Sequence, residues 1–364
     1  MNISPAPTLQ EALDEVMQLD HSQFTQQNRI EVETLLDYCL KEVGEDTDKL
    51  LTTLFIRALK NHIGPIGADE HIYLKKFEVP QIQLFDLIIR HFPFVSLGQQ
   101  VVNTLFADSM VNNNRATLID VGIGRGLQTI GLMEEIEKRK DLHVEELTIM
   151  GIEPFTEALS VEEKSIREKS AELNLKVNFI GINAFAENLC ADDLVKKLPN
   201  PYADIFINAS LTLHHIQSSS ERNMFLSEIA RLRPKAFILT EPNSDHLEPD
   251  FYKRFKNSYN HFLHLFKVID ELPVSRNNKN ALKLFFGREI EDIIGNEEHN
   301  RFERHEKAVS WIRRLHNAGF SINKHFPYPV IKNNSSIYLK HFDEGFLGFN
   351  HDDETILSII YAYI

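Results

Sequence analysis

The spacing of apolar positions changes near residue 110, and it predicts a different kind of structure on each side. Before that point, VETLLDYCLKEV and DKLLTTLFIRALKNHI place apolar residues three and four apart, which predicts amphipathic helices. QIQLFDLIIRHF and SLGQQVVNTLFADSM continue this spacing, with an interruption at Pro93. Two glycines and a proline follow the second of these helices, and they predict that it ends there and that a loop runs to Pro80. We therefore predict an α-helical N-terminal cap lobe over residues 1–110.

Beyond residue 111 the pattern alternates between strands and helices. Helical patterns separate five short runs that are apolar and rich in β-branched residues. This alternation predicts a parallel sheet covered by helices on both faces. The fold class is therefore α/β, with a Rossmann-like core over residues 111–364. The five runs are ATLIDVG, ELTIMGIEP, KVNFIGIN, ADIFINAS and KAFILTEP.

The alternation stops after the fifth predicted strand. An insertion over about residues 245–300 holds an aromatic-rich helix, YKRFKNSYNHFLHLFKVI, followed by a polar loop. The next helix, EKAVSWIRRLHNAGF, is predicted to end at Gly319 in a left-handed C-cap. The tail segments SINKHFPYPV, SSIYLKHF and GFLGF are typical of antiparallel strands that close one edge of the sheet.

Composition narrows the class of protein. The 364 residues contain no apolar run of the roughly 20 residues that a membrane helix needs, and the N-terminus has no signal-peptide pattern. Two cysteines cannot form a disulfide framework, which favours a reducing, cytoplasmic location. The net charge of −14 disfavours direct nucleic-acid binding, because phosphate neutralisation needs a basic surface.

The first strand is followed by a glycine-rich turn with the spacing D-x-G-x-G-x-G, from Asp120 through Gly122 and Gly124 to Gly126. A dinucleotide site needs a third glycine three places after the second, and Leu127 stands there, so a dehydrogenase is disfavoured. The spacing suits a ligand with an amino-acid end. Asp120 is then expected to face its ammonium, while the glycines allow close approach of the backbone.

Polar residues follow the other strands at the same edge of the sheet. Glu153 can accept from a ribose diol, although a surface acid in a proline turn has the same pattern. Asn183 and Ala184 are placed to contact adenine, although Asn183 is also typical of a helix N-cap. Asn208 ends the fourth strand. This ordered set resembles the class I S-adenosylmethionine-dependent methyltransferases, which implies S-adenosyl-L-methionine as cofactor and S-adenosyl-L-homocysteine as product.

His214 is the candidate catalytic base. Methyl transfer depends mainly on positioning, and where a proton must leave, a histidine pKa suits its removal near neutral pH. The alternative is a turn in which His214 only stabilises the backbone through hydrogen bonds. No metal site is expected, because His299 and His305 would not share a helix face.

A substrate pocket is expected beside the insertion. The alternative for the run RFERHE is a solvated, salt-bridged helix start. The candidate pocket residues are Glu289, Glu297, Arg301 and Arg304.

Almost the whole chain, from Leu35 to Phe349, resembles the GRAS-domain family, known for plant transcriptional regulators. The strand and turn Leu118–Gln128 match its D-x-G-x-x-x-G-L-Q segment, and Pro93, Phe94 and Asn103 fit its helix entering the core. The segment FYKRFKNSYNHFLHLFKVIDEL resembles its F…RF…YY…FD segment. The C-terminal half matches R-E-I…E…R-x-x-R-H-E…W-x-x-R-x-x-x-A-G-F at Arg288, Glu289, Ile290, Glu297, Arg301, Arg304, His305, Glu306, Trp311, Arg314, Ala318, Gly319 and Phe320.

The resemblance implies a methyltransferase-like α/β core with a helical cap. The closing segment departs from the family pattern, since it reads GFLGF and ends in SIIYAYI rather than S-A-W. Without a long regulatory N-terminal region, the chain is predicted to be a compact bacterial member.

Two functions follow. The first is a methyltransferase acting on a small-molecule substrate. The alternative is a non-catalytic, ligand-sensing or protein-binding regulator of the GRAS type. In that case the aromatic insertion Phe251–Phe266 is expected to form a groove or a homodimer surface through the helical cap, although packing in the core accounts for the same residues.

Overall fold

A computed structural model of the chain describes residues 50–63, 88–89, 91–173, 175–328 and 336–364. The predicted helix in VETLLDYCLKEV and the loop that ends at Pro80 lie outside the described residues, as does most of QIQLFDLIIRHF. The chain divides into two compact units. Met1–Phe92 and Ser244–His305 form the first, and Pro93–Asn243 and Glu306–Ile364 form the second.

The described helices are numbered in chain order. None of them is both long and apolar enough to cross a bilayer. They are α1 (Leu50–Ile63), α2 (Pro93–Ser109), α3 (Leu127–Lys138), α4 (Thr156–Glu172), α5 (Ala191–Lys197), α6 (Ser219–Arg231), α7 (Phe251–Glu271), α8 (Arg276–Ile290) and α9 (Ala308–Asn317).

The described strands form one sheet in the second unit. They are β1 (Arg115–Val121), β2 (Glu146–Ile152), β3 (Lys176–Ile182), β4 (Asp204–Ser210), β5 (Ala236–Pro242), β6 (Ser321–Ile322), β7 (Ile337–Phe342), β8 (Phe346–His351) and β9 (Glu354–Tyr363).

The strand order is β3-β2-β1-β4-β5-β9-β8-β7, and β6 pairs with β9. The pairs from β3 to β5 are parallel, whereas β9, β8 and β7 are antiparallel. The predicted α/β class, with a mostly parallel sheet and an antiparallel edge, is therefore confirmed. The order reverses beside β1, where the register sets Asp120 against Gly151 on one side and Asn208 on the other. Ligands of open α/β sheets bind outside the strand ends at such a switch point.

Alternating strands and helices enclose the core of the second unit because the parallel strands carry apolar residues towards both faces. Ile119, Met150, Ile207 and Phe237 come from four adjacent strands and are at most 1 % exposed. Trp311 of α9 is fully buried in the same cluster. Ser218 and Glu221 form a capping box at the start of α6.

Four segments differ from the sequence analysis. The predicted polar loop after α7 is helix α8, because Ser275 caps its first turn and apolar side chains such as Phe285 and Phe286 are buried. The tail SINKHFPYPV contributes only the short strand β6. The final segment, which the sequence analysis treated only as a family departure, forms β9 and pairs directly with β5. Helix α2, placed in the cap lobe by sequence, groups with the second unit.

The described part of the first unit is mainly helical. Phe55 of α1 makes edge-on contacts, with ring centroids 5.1 Å apart, to both Phe255 and Tyr259 of α7. Helix α1 also packs along α8 and the π-helical turn Glu291–Gly295. A Cβ added at Gly295 would lie 3.2 Å from the carbonyl oxygen of Ala58, so a glycine permits this close packing.

Candidate functional site

The glycine loop between β1 and α3 turns sharply in left-handed backbone. Gly122, Gly124 and Gly126 have φ angles of 74°, 56° and 67°, which side chains rarely adopt. The N–H groups of Gly122 and Ile123 donate to the carbonyl oxygen of Ile152 at 2.9 and 3.2 Å. These bonds fasten the loop to the end of β2.

The three glycines face different surroundings. A Cβ at Gly122 would lie 2.2 Å from Thr212 Oγ1, and one at Gly126 would lie 2.9 Å from Glu162 Cγ. At Gly124 a Cβ would meet only the carbonyl oxygen of Gly122, at 3.9 Å. The loop is therefore covered by side chains at its two ends, and space remains over its middle glycine.

Asp120 is buried and bound by neighbouring side chains. Its Oδ2 accepts from Thr129 Oγ1 at 2.5 Å and its Oδ1 accepts from Asn208 Nδ2 at 2.7 Å. Asn208 in turn accepts from Gln128 Nε2 at 3.2 Å. Burial raises the pKa of Asp120, and the two hydrogen bonds oppose that rise. Asp120 and Asn208 thus lie in direct contact, and both carboxylate oxygens of Asp120 accept hydrogen bonds from protein donors.

Glu153 is also buried, 8 % exposed, at the end of β2. It accepts from the backbone N–H groups of Phe155, at 3.3 Å, and Gly124. Burial raises its pKa, and these N–H donors oppose the rise. Asn183 is exposed, and its Nδ2 donates to the carbonyl oxygen of Pro154 at 2.8 Å, which ties the end of β3 to that of β2.

Two aromatic side chains lie beyond these adjacent strands. Phe155 is 57 % exposed and Phe185, next to the half-buried Ala184, is 53 % exposed. Exposed aromatic side chains thus follow the carboxyl ends of β2 and β3.

His214 lies in a short helical turn after β4 and is 4 % exposed. Its Nδ1 is 2.5 Å from Glu241 Oε2, and Glu241 Oε1 accepts from the N–H groups of Thr212 and Leu213. Burial opposes ionisation of Glu241, but His214 and the N–H donors outweigh it and lower the pKa of that carboxyl. The carbonyl oxygen of His214 accepts from Arg222 Nη2 at 3.0 Å. This geometry corresponds to the alternative in which His214 stabilises a turn.

The predicted pocket residues belong to the first unit. Arg301 is buried and donates to the carbonyl oxygen of His246 at 2.7 Å, and burial lowers its pKa to about 10. Arg304 donates to the carbonyl oxygen of Arg301 at 3.1 Å. Glu289 is buried on α8, whereas Glu297 is exposed. The run RFERHE is not a solvated helix start, because it precedes α9 without helical structure of its own and its side chains are mostly buried.

Sequence reasoning missed several residues that touch the glycine loop or the His214 turn. Glu162 had a usable signal, since it is the acid on the apolar stripe of α4 between Leu159 and Ile166. Thr212 and Glu241 carried no such signal, because their contacts depend on the ends of neighbouring strands meeting in space.

The described architecture defines an α/β protein with a glycine loop at the switch point of its sheet. A crystal structure of SCL7 from Oryza sativa matches it with a TM-score of 0.78 and 16 % identity, covering 99 % of this chain and 100 % of that one. Residues 23–357 match the model of the GRAS domain family. The chain belongs to the GRAS domain family.

Relatives by sequence are plant proteins, one of which is named as a transcription factor. The chain is 29 % identical over 248 residues to the "GRAS family protein RAD1" of Medicago truncatula, covering 65 % of this chain and 47 % of the relative. It is 25 % identical over 288 residues to the "Scarecrow-like transcription factor PAT1" of Arabidopsis thaliana, covering 72 % and 57 %. The chain spans about half the length of the curated relatives it matches.

These relatives correct three predictions. The methyltransferase acting on a small molecule is wrong as the main function, because the matched proteins are regulators of the GRAS type. The predicted partners, a small-molecule substrate and no nucleic acid, are overturned by relatives that include a named transcription factor. The bacterial origin is overturned as well, because these matches are to plant proteins.

Proposed function

We propose that this chain is a non-catalytic regulator of the GRAS type, which acts by binding other macromolecules. The observation that carries the proposal is the family match over residues 23–357, together with relatives named as regulators. In this proposal His214 maintains the turn after β4, through the contact of its ring with Glu241 and that of its carbonyl oxygen with Arg222.

The Rossmann-like form of the core serves this function as a ligand-sensing module. Its parallel half has the order β3-β2-β1-β4-β5, the order of a doubly wound nucleotide-binding sheet. We propose S-adenosyl-L-methionine, or S-adenosyl-L-homocysteine, as the sensed ligand.

The residues at the loop fit the positively charged, amino-acid end of such a ligand. Three buried carboxyl groups, those of Asp120, Glu153 and Glu162, lie around the loop, and their ionised forms favour a cation. Gly124 leaves room for close approach, and Phe185 offers an exposed aromatic side chain for a base. The sulfonium and ammonium groups supply positive charge when the ligand is bound.

The regulatory proposal is tested by tethering. The chain is fused to a heterologous DNA-binding domain, and transcription is measured from a reporter that carries the site for that domain. A change relative to the DNA-binding domain alone is expected. No change in the reporter, together with transfer of labelled methyl groups from S-adenosylmethionine to an acceptor, would contradict the proposal.

The ligand proposal is tested by a melting scan. Ligand at 100 times its dissociation constant stabilises a protein by about 2.7 kcal/mol, so S-adenosylmethionine should raise the melting temperature and NAD should not. Gly124→Leu should abolish the rise. Gly319→Leu is the matched control, because Gly319 also has positive φ and open space but lies after α9. A rise that survives in Gly124→Leu would place the ligand elsewhere.

A further inference from the structure

The side chain of Glu162 packs directly against Gly126 of the glycine loop. It lies on α4 between the buried residues Leu159 and Ile166, and it is 0 % exposed. A Cβ at Gly126 would lie 2.9 Å from its Cγ and 3.3 Å from its Oε1. The contact therefore depends on a glycine at position 126, and it brings a carboxyl group to the backbone of the loop.

The carboxyl group of Glu162 is unsatisfied. Within the described ranges, neither of its oxygens has a hydrogen-bond partner. Buried polar groups in folded proteins are nearly always hydrogen-bonded, because an unpaired one loses its solvation without compensation. Burial, followed by the charges of Asp120 and Glu153, raises the pKa of Glu162 to about 9. Glu162 is therefore protonated at neutral pH.

The charged groups around Glu162 do not compensate it. Asp120 acts on it from β1 and Glu153 from the end of β2, and both are acidic. Arg125 in the loop is exposed. Helix α3 presents Glu134, which pairs with Lys169 of α4 at 3.0 Å. A positive charge at the loop would therefore be attracted by this group of three acids.

We propose that Glu162 is a ligand-binding residue that holds a proton in the free protein and releases it to solvent when an ammonium-bearing organic cation occupies the glycine loop. The proposal rests on the ligand site proposed above, and it assigns the regulation of that site to a proton. No covalent bond changes, since one O–H bond of the carboxyl group breaks and the proton passes to buffer. The resulting carboxylate accepts hydrogen bonds from the cation.

The same geometry argues against a phosphate ligand. A glycine loop at a helix N-terminus often holds anions. Here an anion would approach three acids, and its negative charge would raise the pKa of Glu162 further, so that the proton would stay bound. A buried acid without a partner also lowers folding stability, and natural proteins keep such features mainly at functional sites.

Calorimetric titration with S-adenosylmethionine tests the proposal. Titrations at pH 7.5 in phosphate and in Tris, which have different ionisation enthalpies, give the number of protons released per ligand bound. We expect about one proton for the native chain and none for Glu162→Gln, which copies the shape of the protonated acid. Affinity should fall by roughly tenfold or more in Glu162→Gln, because a charge-assisted hydrogen bond is lost.

Glu163→Gln is the matched control. Glu163 is the next residue of α4, its side chain is 43 % exposed, and it pairs with Arg167. This variant should release the same number of protons as the native chain. Above about pH 10, where Glu162 is already ionised, the release should disappear in all three proteins.

The outcomes separate the two proposals. Binding of S-adenosylmethionine without proton release would overturn the role of Glu162 and leave the ligand site standing. Absence of binding in every variant would overturn the ligand site, and this inference with it. A ligand-free melting series adds a second check, since Glu162→Gln should gain in melting temperature over the native chain as pH rises from 5 to 9. Equal melting temperatures would also overturn the inference.

Discussion

Arg222 and Glu306 form an ion pair in the interior of the second unit, where the side chain of Arg222 is completely buried. Arg222 also donates to the carbonyl oxygens of Ile216 and His214, each at 3.0 Å. Arg314 of α9 approaches Glu306 from the other side, with Nη2 at 3.0 Å from Oε1. The family motif R-x-x-R-H-E therefore ends in an acid that joins α6 to α9.

Removal of Glu306 should destabilise the protein strongly. Glu306→Ala leaves the guanidinium of Arg222 buried without its partner, and loss of one member of a buried pair costs about 3–5 kcal/mol. Urea unfolding measures this change. The control is Glu163→Ala, which removes the partly exposed pair with Arg167 and should cost no more than about 1 kcal/mol. Similar losses in both variants would contradict the importance of burial here.

The donor and the acceptor of the hydrogen bond between Asp120 and Asn208 should be exchangeable. Asp120→Asn sets two amide groups against each other in the interior and should cost about 1–3 kcal/mol. Asn208→Asp brings two buried carboxylates together and should cost at least as much. The double exchange restores one donor and one acceptor, and Gln128 can still donate to position 208. Recovery of stability in the double variant, measured by urea unfolding, checks the pairing, and additive losses would contradict it.

The glycines of the loop should differ in their tolerance of alanine. Gly122→Ala and Gly124→Ala both place a side chain in left-handed backbone, which costs about 1–2 kcal/mol. At Gly122 the new Cβ also meets Thr212, and overpacking adds about 1–3 kcal/mol. Combining Gly122→Ala with Thr212→Ala should recover much of that second part in thermal unfolding. Equal losses of stability in Gly122→Ala and Gly124→Ala would mean that the Thr212 side chain moves aside without a measurable energetic cost.

The first unit should be sensitive to acid. His246 lies with its ring centroid 4.7 Å from that of His305 and 5.7 Å from that of His261. Burial, and then the neighbouring histidines, lowers the pKa of His246 well below its usual value and that of His261 to about 3. Glu303 opposes the shift at His246. The unfolded chain therefore binds more protons between about pH 6.5 and pH 3, and stability falls as pH decreases through that window.

Each neutral buried histidine contributes up to about 1.4 kcal/mol per pH unit to this loss. Replacing His261 by Phe should reduce the number of protons taken up on unfolding by about one, as measured by urea unfolding across pH 4–7. His299→Gln, at an exposed position, should leave the pH dependence unchanged. An unaltered slope in His261→Phe would show that other groups govern the acid loss.

The candidate site was predictable where one strand end carries its own signal. The alternation of strands and helices placed Asp120, Glu153 and Asn208 at one edge of a parallel sheet, since parallel strands end together. The roles assigned to them were read from resemblance, and they stay predictions. Helix α8 was missed because its first turns are rich in asparagine, and burial of Phe285 and Phe286 outweighs that local preference.

The amino-acid sequence by itself determined the α/β class, the order of the strand-ending motifs and the glycine-rich turn, because periodicity and glycine spacing are local properties of the chain. Tertiary structure alone decided that β9 joins β5 and that Arg222 meets Glu306. It also decided that Glu162 packs against Gly126 without a hydrogen-bond partner among the described residues. Such contacts join residues far apart in sequence. Their energies depend on burial and on the charges nearby, which no local pattern encodes.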